Sequence, residues 1–365
     1  MENKTIILTR KIQLLIDTDD AAILKDARDK LYHWQNISFR AANMIMTHHF
    51  AQENIKDFFY LTEGIKLKLV HQDKDENGIF TSSRSNTIYR VLSGHFKGEI
   101  PTNVLSNLNN RLTTCFNTEK AAYWKGERSL RNYKRDIPIP FGPEAMYKFQ
   151  HTLDKKNFSF NLFQIPFRTY LGKDQSDKKQ MLEKVKQGLI QLRTSSLQLD
   201  KGKVFLLATF RLEHQTKPLD ESVIAEASLS LEYPITVMIG KQSFTIGTKE
   251  EFLYRRIAIQ SARQRIQKGA AFNRPGKGRK RKLKAVADYG NYEQRYVNYK
   301  LHLYSKKLID LCIKYRAATL ILLNQADKEE VAREDPFILQ NWSYFSLMEK
   351  IKYKANMAGI TIVVE

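Results

Sequence analysis

Two stretches concentrate side chains suited to polyanion chemistry. "RPGKGRKRKLK", 274–284, sets Arg274, Lys277, Arg279, Lys280, Arg281, Lys282 and Lys284 within eleven residues. Pro275, Gly276 and Gly278 are expected to keep it an open loop whose backbone can approach a phosphate closely. Contacts of that kind are sequence-independent and weaken with salt. "TEKAAYWKGERSLRNYKR", 118–135, interleaves Lys120, Lys125, Arg128, Arg131, Lys134 and Arg135 with Tyr123, Trp124 and Tyr133. Such mixing suits RNA, where bases stack while phosphates are neutralised. The competing reading is a helix that buries its aromatics and solvates its charges. "TSSRSNTIYR", 81–90, offers Ser83, Arg84 and Asn86 at an expected helix start, where a phosphate can be held or a base edge read. Arg168, in "FQIPFR", is a further cation counted with the nucleic-acid candidates.

Metal chemistry is poorly served by the residue types present. Cys115 and Cys312 are the only cysteines and no CxxC occurs, which excludes a cysteine-rich zinc ribbon. His48 and His49 are adjacent on an expected helix and so point about 100° apart, which disfavours ligation by both. No metal site is expected. Lys+Arg 60 against Asp+Glu 39 gives a net charge of +21, which favours polyanionic partners, nucleic acid above all. The longest apolar runs, "TLILL" and "ITIVV", are strand-sized, so no bilayer span is expected. "MENKTIILTRK" lacks an h-region and a cleavage site, and a cytoplasmic protein is expected.

The elements that must carry these residues follow from periodicity. "TIILTRKIQLLI", 5–16, alternates as a strand. Leu24, Ala27, Leu31, Trp34 and Ile37 then recur at spacings of three and four, as one helix face does. A second helical block runs from about Asn86 to Arg131, broken at "GEIPTN", where Thr102 or Asn103 is expected to cap the next helix. Pro138, Pro140 and Pro143 end the helices. "NFSFNLFQIPFRTYL", "SLQLDKGKVFLLATFRLE" and "SLSLEYPITVMIGKQSFTIG" read as β-structure, with Asp200 and Gly202 turning one strand into the next. "HQTKPLDES", 214–222, reads as a linker. Beyond it come strands at 233–247, a helix at 249–268 and the basic loop. A long helix through "YEQRYVNYKLHLYSKKLIDLCIKYR" follows, then a strand at 319–323, a helix from about Trp342 to Met357 stopped by Gly359, and a strand at 360–364. Helices between strands imply at least one parallel pairing.

The run from "YEQRYVNYK" to "NWSYFSLMEKIKYKANMAGITIVVE" resembles the RuvC domain of TnpB-like proteins, above all that of the miniature type V-F CRISPR effectors. Trp342, Ile351, Tyr353, Lys354, Ala355, Gly359 and Ile360 carry the likeness. "DIPIPF" and "FQIPFR" resemble the paired proline strands of that family's wedge domain. The resemblance implies an α+β multidomain protein: a wedge β-barrel (1–16 and 136–215) interrupted by a helical recognition domain (17–135). A linker (216–222) and an RNase H-like RuvC domain (223–365) would follow. Against the family's pattern Gly-Val-Asp-Leu-Gly-Ile-Lys-Tyr-Pro, the stretch "EASLSLEYP" puts Ser228 where the Asp belongs. Leu323 stands where a second segment ends in Glu, and the third segment and zinc ribbon would fall beyond Glu365.

Two-metal cleavage needs carboxylates holding two Mg²⁺ about 4 Å apart, so the resemblance with these departures implies an inactivated nuclease, not an enzyme. Glu226, Glu232, Asp327 and Glu365 are the acids a shifted alignment could recruit. The expected function is guide-RNA-directed DNA binding with R-loop formation and regulation of transcription. By resemblance, a sigma factor and RNA polymerase would be recruited and two protein copies could pair. Guide RNA and target double-stranded DNA are the expected partners, with no cofactor besides the guide. Promoter occlusion, a displaced-acid nuclease and a basic RNA-binding transposon accessory are the alternatives.

Overall fold

The computed structural model describes residues 5–59, 84–172, 177–213, 218–230, 232–323 and 343–365. Two compact units result, Thr5–Leu212 and Glu213–Glu365.

In the first unit, the alternating opening becomes β1 (Thr5–Ile16), whose Leu8, Ile12 and Leu14 are buried. Asp20 then starts the 39-residue helix α1 (Ala21–Phe59), its Oδ1 accepting from the backbone of Ala22 at 2.7 Å. The predicted apolar stripe faces inward, with Ala27, Leu31, Trp34 and Ile37 all buried. Helices α2 (Arg84–Phe96) and α3 (Thr102–Trp124) follow. The expected cap at Thr102 or Asn103 is not made. Pro101 holds the N-cap position without a side-chain bond. Asn103 instead accepts from the Gly142 backbone at 2.9 Å and donates to Glu144, tying α3 to the sheet.

The sheet adds β2 (Ile139–Phe141), β3 (Met146–His151), β4 (Phe158–Leu162) and β5 (Ile165–Tyr170). Helix α4 (Lys178–Lys186) precedes β6 (Gln191–Leu192), β7 (Ser195–Asp200) and β8 (Lys203–Glu213). Lys201 and Gly202, both at positive φ, make the two-residue turn foreseen in "LDKGK". The order is β2-β7-β8-β1-β5-β4-β3, with β6 also on β8. The expected barrel is therefore corrected to an open sheet. Its two ends are unsuited to pairing: Pro140 lacks an N–H in three-residue β2, and β3 breaks register between Tyr147 and Gln150, where Lys148 has φ 54°. Helices and sheet share one apolar core, in which Ile45, Leu92, Leu105 and Phe116 join Ile12, Phe160, Phe167 and Phe210. Burying each such side chain contributes about 1.5–3 kcal/mol.

The second unit is built on five strands. β9 (Asp220–Ser228) opens inside the stretch expected to be linker, followed by β10 (Ile235–Ile239) and β11 (Gln242–Ile246). Gly247, at φ 81°, admits the Tyr304 ring: a Cβ there would lie 2.7 Å from it. Thr248 caps α5 (Lys249–Ala271) by accepting from the Glu251 backbone at 3.2 Å, with Glu250 and Glu251 in the first turn. Then come the 38-residue α6 (Lys277–Lys314), β12 (Ala317–Leu322), α7 (Tyr344–Ala358) and β13 (Thr361–Val364). Gly359, at φ 81°, ends α7 as its sequence position suggests. The order β11-β10-β9-β12-β13 is antiparallel across β11, β10 and β9, and parallel across β9, β12 and β13. The two parallel pairings match the expectation from helices between strands. Leu301, Leu308, Leu347 and Ile351 from α6 and α7 pack with Ala225, Val237 and Leu320 of the sheet in one core.

Candidate nucleic-acid interface

Segment 118–135 begins as the last turns of α3 and continues as an extended strap. Its cations largely meet acids of the same unit. Glu119, set one helical turn before Tyr123, gathers three donors. Arg131 grips it with both guanidinium edges, Arg128 Nη1 donates at 2.7 Å, and Tyr123 Oη donates at 2.5 Å. Arg131 holds the Glu119 carboxyl down to about 2, against burial, which alone would raise it. Burial, reinforced by Glu119, pushes the Tyr123 hydroxyl up to about 12. Lys120 pairs with Glu53 of α1 and lies 5.8 Å from the Trp124 ring. Tyr123 is buried, Trp124 is half-exposed, and Tyr133 packs against the core with its backbone N–H donating to Asn43 at 2.9 Å. Lys125, Lys134 and Arg135 stay exposed.

The strap also walls a cavity of about 710 Å³ against α3, with Arg111, Arg128, Arg131 and Lys134 on its lining. Arg111 was no sequence candidate. Its signal was the spacing of four that places Arg111, Cys115 and Glu119 along one helix stripe.

Segment 274–284 differs from expectation. It is not an open loop: α6 begins at Lys277, so only 272–276 link α5 to α6. Lys, Arg and Leu are good helix formers, and the glycines only mark the entry. Helices α5 and α6 run as an antiparallel pair. Glu293 accepts from Arg256 at 2.9 Å and Gln260 at 2.8 Å, and Tyr296 Oη donates to the Glu251 carbonyl at 2.8 Å. At the tip, Lys282 donates to the Gly269 carbonyl at 3.1 Å. Arg274, Lys277, Arg279, Lys280, Arg281 and Lys284 are exposed. No acid lies in the first turn of α6. Cations at the positive end of a helix dipole are unfavourable by about 0.3–1 kcal/mol each, and an arriving anion offsets that cost.

The remaining candidates are dispersed. Ser83 lies outside the described residues, Arg84 opens α2, and Asn86 is exposed on its first turn. Arg168 of β5 is exposed and faces Asp17 at 3.6 Å.

The positions matched to catalytic segments do meet. Leu323 donates its backbone N–H to the Ala227 carbonyl at 2.9 Å, and Glu365 donates to the Leu322 carbonyl at 3.0 Å. Ser228, Leu323 and Glu365 therefore end three neighbouring strands in one row. Glu226 shares Ser228's side of β9, opposite the buried Ala225 and Ala227. A hydroxyl and a hydrocarbon do not fit a pair of Mg²⁺ ions, which take hard anionic oxygens. Among the described residues no group of three or more His, Cys, Asp or Glu is placed to hold a metal. Also among them, no helix is long and apolar enough to cross a membrane.

No family model matches the chain. It is 23% identical over 312 residues to the "CRISPR-associated endodeoxyribonuclease Cas12f1" of Sulfoacidibacillus thermotolerans, covering 80% of this chain and 73% of the relative. A protein of the same description from Syntrophomonas palmitatica is 32% identical over 109 residues, 30% of this chain and 21% of that one. The fold matches the Cas12f1 chain of a cryo-EM Cas12f1–sgRNA–target DNA complex with TM-score 0.67 at 14% identity, over 99% of this chain and 89% of that one. By sequence and by fold the chain is homologous to Cas12f1. The expectation of a non-enzyme is thereby corrected, since both Cas12f1 relatives are named endodeoxyribonucleases. That expectation rested on two positions, 228 and 323. The sequence following β12 carries five more acids, Asp327, Glu329, Glu330, Glu334 and Asp335, so two substitutions do not exhaust the carboxylates available near this edge.

Proposed function

We propose that the chain is an RNA-guided DNA-binding protein: a guide RNA supplies sequence choice, and the protein holds the guide–target duplex by its backbone at an R-loop. The observation that carries this is the cationic tip of α6, whose exposed Lys and Arg have no acid in their first turn. The homology to Cas12f1, one of whose structures is a complex with sgRNA and target DNA, supports the same partners here. The strand order of the second unit, read from β9 as 3-2-1-4-5, supports an RNase H-like domain in that role. Guide RNA is the obligate partner, with no further cofactor, and the site of action is the cytoplasm. The finer proposal is regulation of transcription, with a sigma factor and RNA polymerase brought to the guided site. Pairing of two protein copies on one guide belongs to it.

Sequencing RNA that copurifies with the protein tests the reading. A discrete species with one constant and one variable end is expected; heterogeneous cellular RNA would replace guided binding with general RNA binding. A reporter whose promoter region matches the guide then separates the finer forms. Increased transcription dependent on a sigma factor supports recruitment, and reduced transcription supports occlusion instead.

A further inference from the structure

Helices α6 and α7 carry a second cationic cluster, remote in sequence from the 274–284 tip. Lys354 of α7 lays its ammonium across α6, donating to the His302 carbonyl and, at 2.9 Å, to Ser305 Oγ. Lys306 and Lys350 both act on it as like charges, and Asp310 is the acid that opposes them. His302 is held below the usual imidazole range by burial and by Lys350 and Lys354. Three ammonium groups thus face one carboxylate.

A helix staple would account for Lys354 alone. It does not account for Lys306 and Lys350, which, among the described residues, make no side-chain hydrogen bond or ion pair. Elsewhere in the protein, crowded cations are answered by a shared glutamate, as Glu119 and Glu293 show. Here the repulsion is left standing, with Lys306 exposed and Lys350 half-buried at the surface. Exposed aromatics flank the cluster by helical spacing: Tyr299, one turn before His302, and Tyr353, one turn after Lys350. Phosphate oxygens would satisfy the ammonium groups, and tyrosine faces beside them suit the bases or sugars of a strand.

We propose that Lys306, Lys350 and Lys354, flanked by Tyr299 and Tyr353, form a second phosphate-backbone contact for a nucleic-acid strand on the α6–α7 surface. This rests on the nucleic-acid reading above and adds a site to it.

The test uses the full chain and the double variant Lys306→Gln/Lys350→Gln, which leaves the Lys354 staple in place. Binding of a single-stranded RNA and of a single-stranded DNA of equal length is measured across a salt series. For the strand that uses the site, the slope of log K against log salt should fall by about 1.4–1.8, from about 0.7–0.9 per lost phosphate contact. The arm that changes identifies RNA or DNA as the occupant. Lys306→Gln alone, at an exposed position, should lower the slope by about half as much and serves if the double variant fails to fold. In the wild type, the Lys354 amine, followed by NMR, should titrate at higher pH when oligonucleotide is bound. An unchanged slope in both arms with an unchanged Lys354 titration overturns this site and leaves guided binding intact. Failure of the wild type to bind either strand overturns both.

Discussion

The strap at 118–135 and the tip at 274–284 look alike in composition, and the fold treats them oppositely. The strap lies beside acids, so Arg128, Arg131 and Lys120 are bound to Glu119 and Glu53. The tip projects from a helix pair whose own acids sit further along: Glu293 and Glu251 take Arg256, Gln260 and Lys300. Cations that have found a carboxylate shape the protein, and cations left in water are available to a partner. Basic composition alone does not distinguish the two.

The largest effect is expected from reversing the tip. Arg279→Glu/Lys280→Glu/Arg281→Glu should weaken nucleic-acid binding at least about 100-fold, or about 3 kcal/mol, and lower the salt slope by about 2–3. Fluorescence anisotropy across a salt series measures both. A comparable loss from changes in the strap alone would erase the contrast between the regions.

Glu119→Ala should destabilise the first unit by about 1–3 kcal/mol, because it strands two arginines and the Tyr123 hydroxyl at a half-buried site. Urea unfolding reads this directly. If the variant also gained affinity for RNA, the freed arginines would be latent binding residues.

The same carboxylate sets an acid response. Its folded value, about 2, lies below its ordinary 4.5. Its contribution is therefore present above about pH 4.5 and lost as pH falls towards 2. Unfolding curves of Glu119→Gln should be flatter across that window than those of the wild type.

The smallest effect belongs to Arg128→Gln. Being paired already, Arg128 should change affinity less than about threefold, with a stability loss of about 0–1 kcal/mol.

Much of the fold was legible because apolar spacing answers to burial. The stripe from Ala27 to Ile37, the Asp200–Gly202 turn and the stop at Gly359 appear where the sequence puts them. The site was legible in residue type and less so in state. The glycines of 274–284 suggested an open loop, yet only the residues before Lys277 form the link, because Lys and Arg propagate a helix once it starts. Glu119 escaped notice because one acid among many cations gains meaning only when three donors converge on it. The open sheet could not be read either. Closure depends on whether β2 and β3 meet, and strand periodicity is silent about that.

Helix α6 has a consequence for how phosphate contacts and the strand ends are coupled. At about 1.5 Å per residue its 38 residues form a rod of about 57 Å, from the exposed lysines to the threshold of β12. One inserted residue midway would swing its far extremity through about 100°. The chain thereby fixes the angular setting between a grasping end and the row containing Ser228 and Leu323, and tolerance to insertion there should be low.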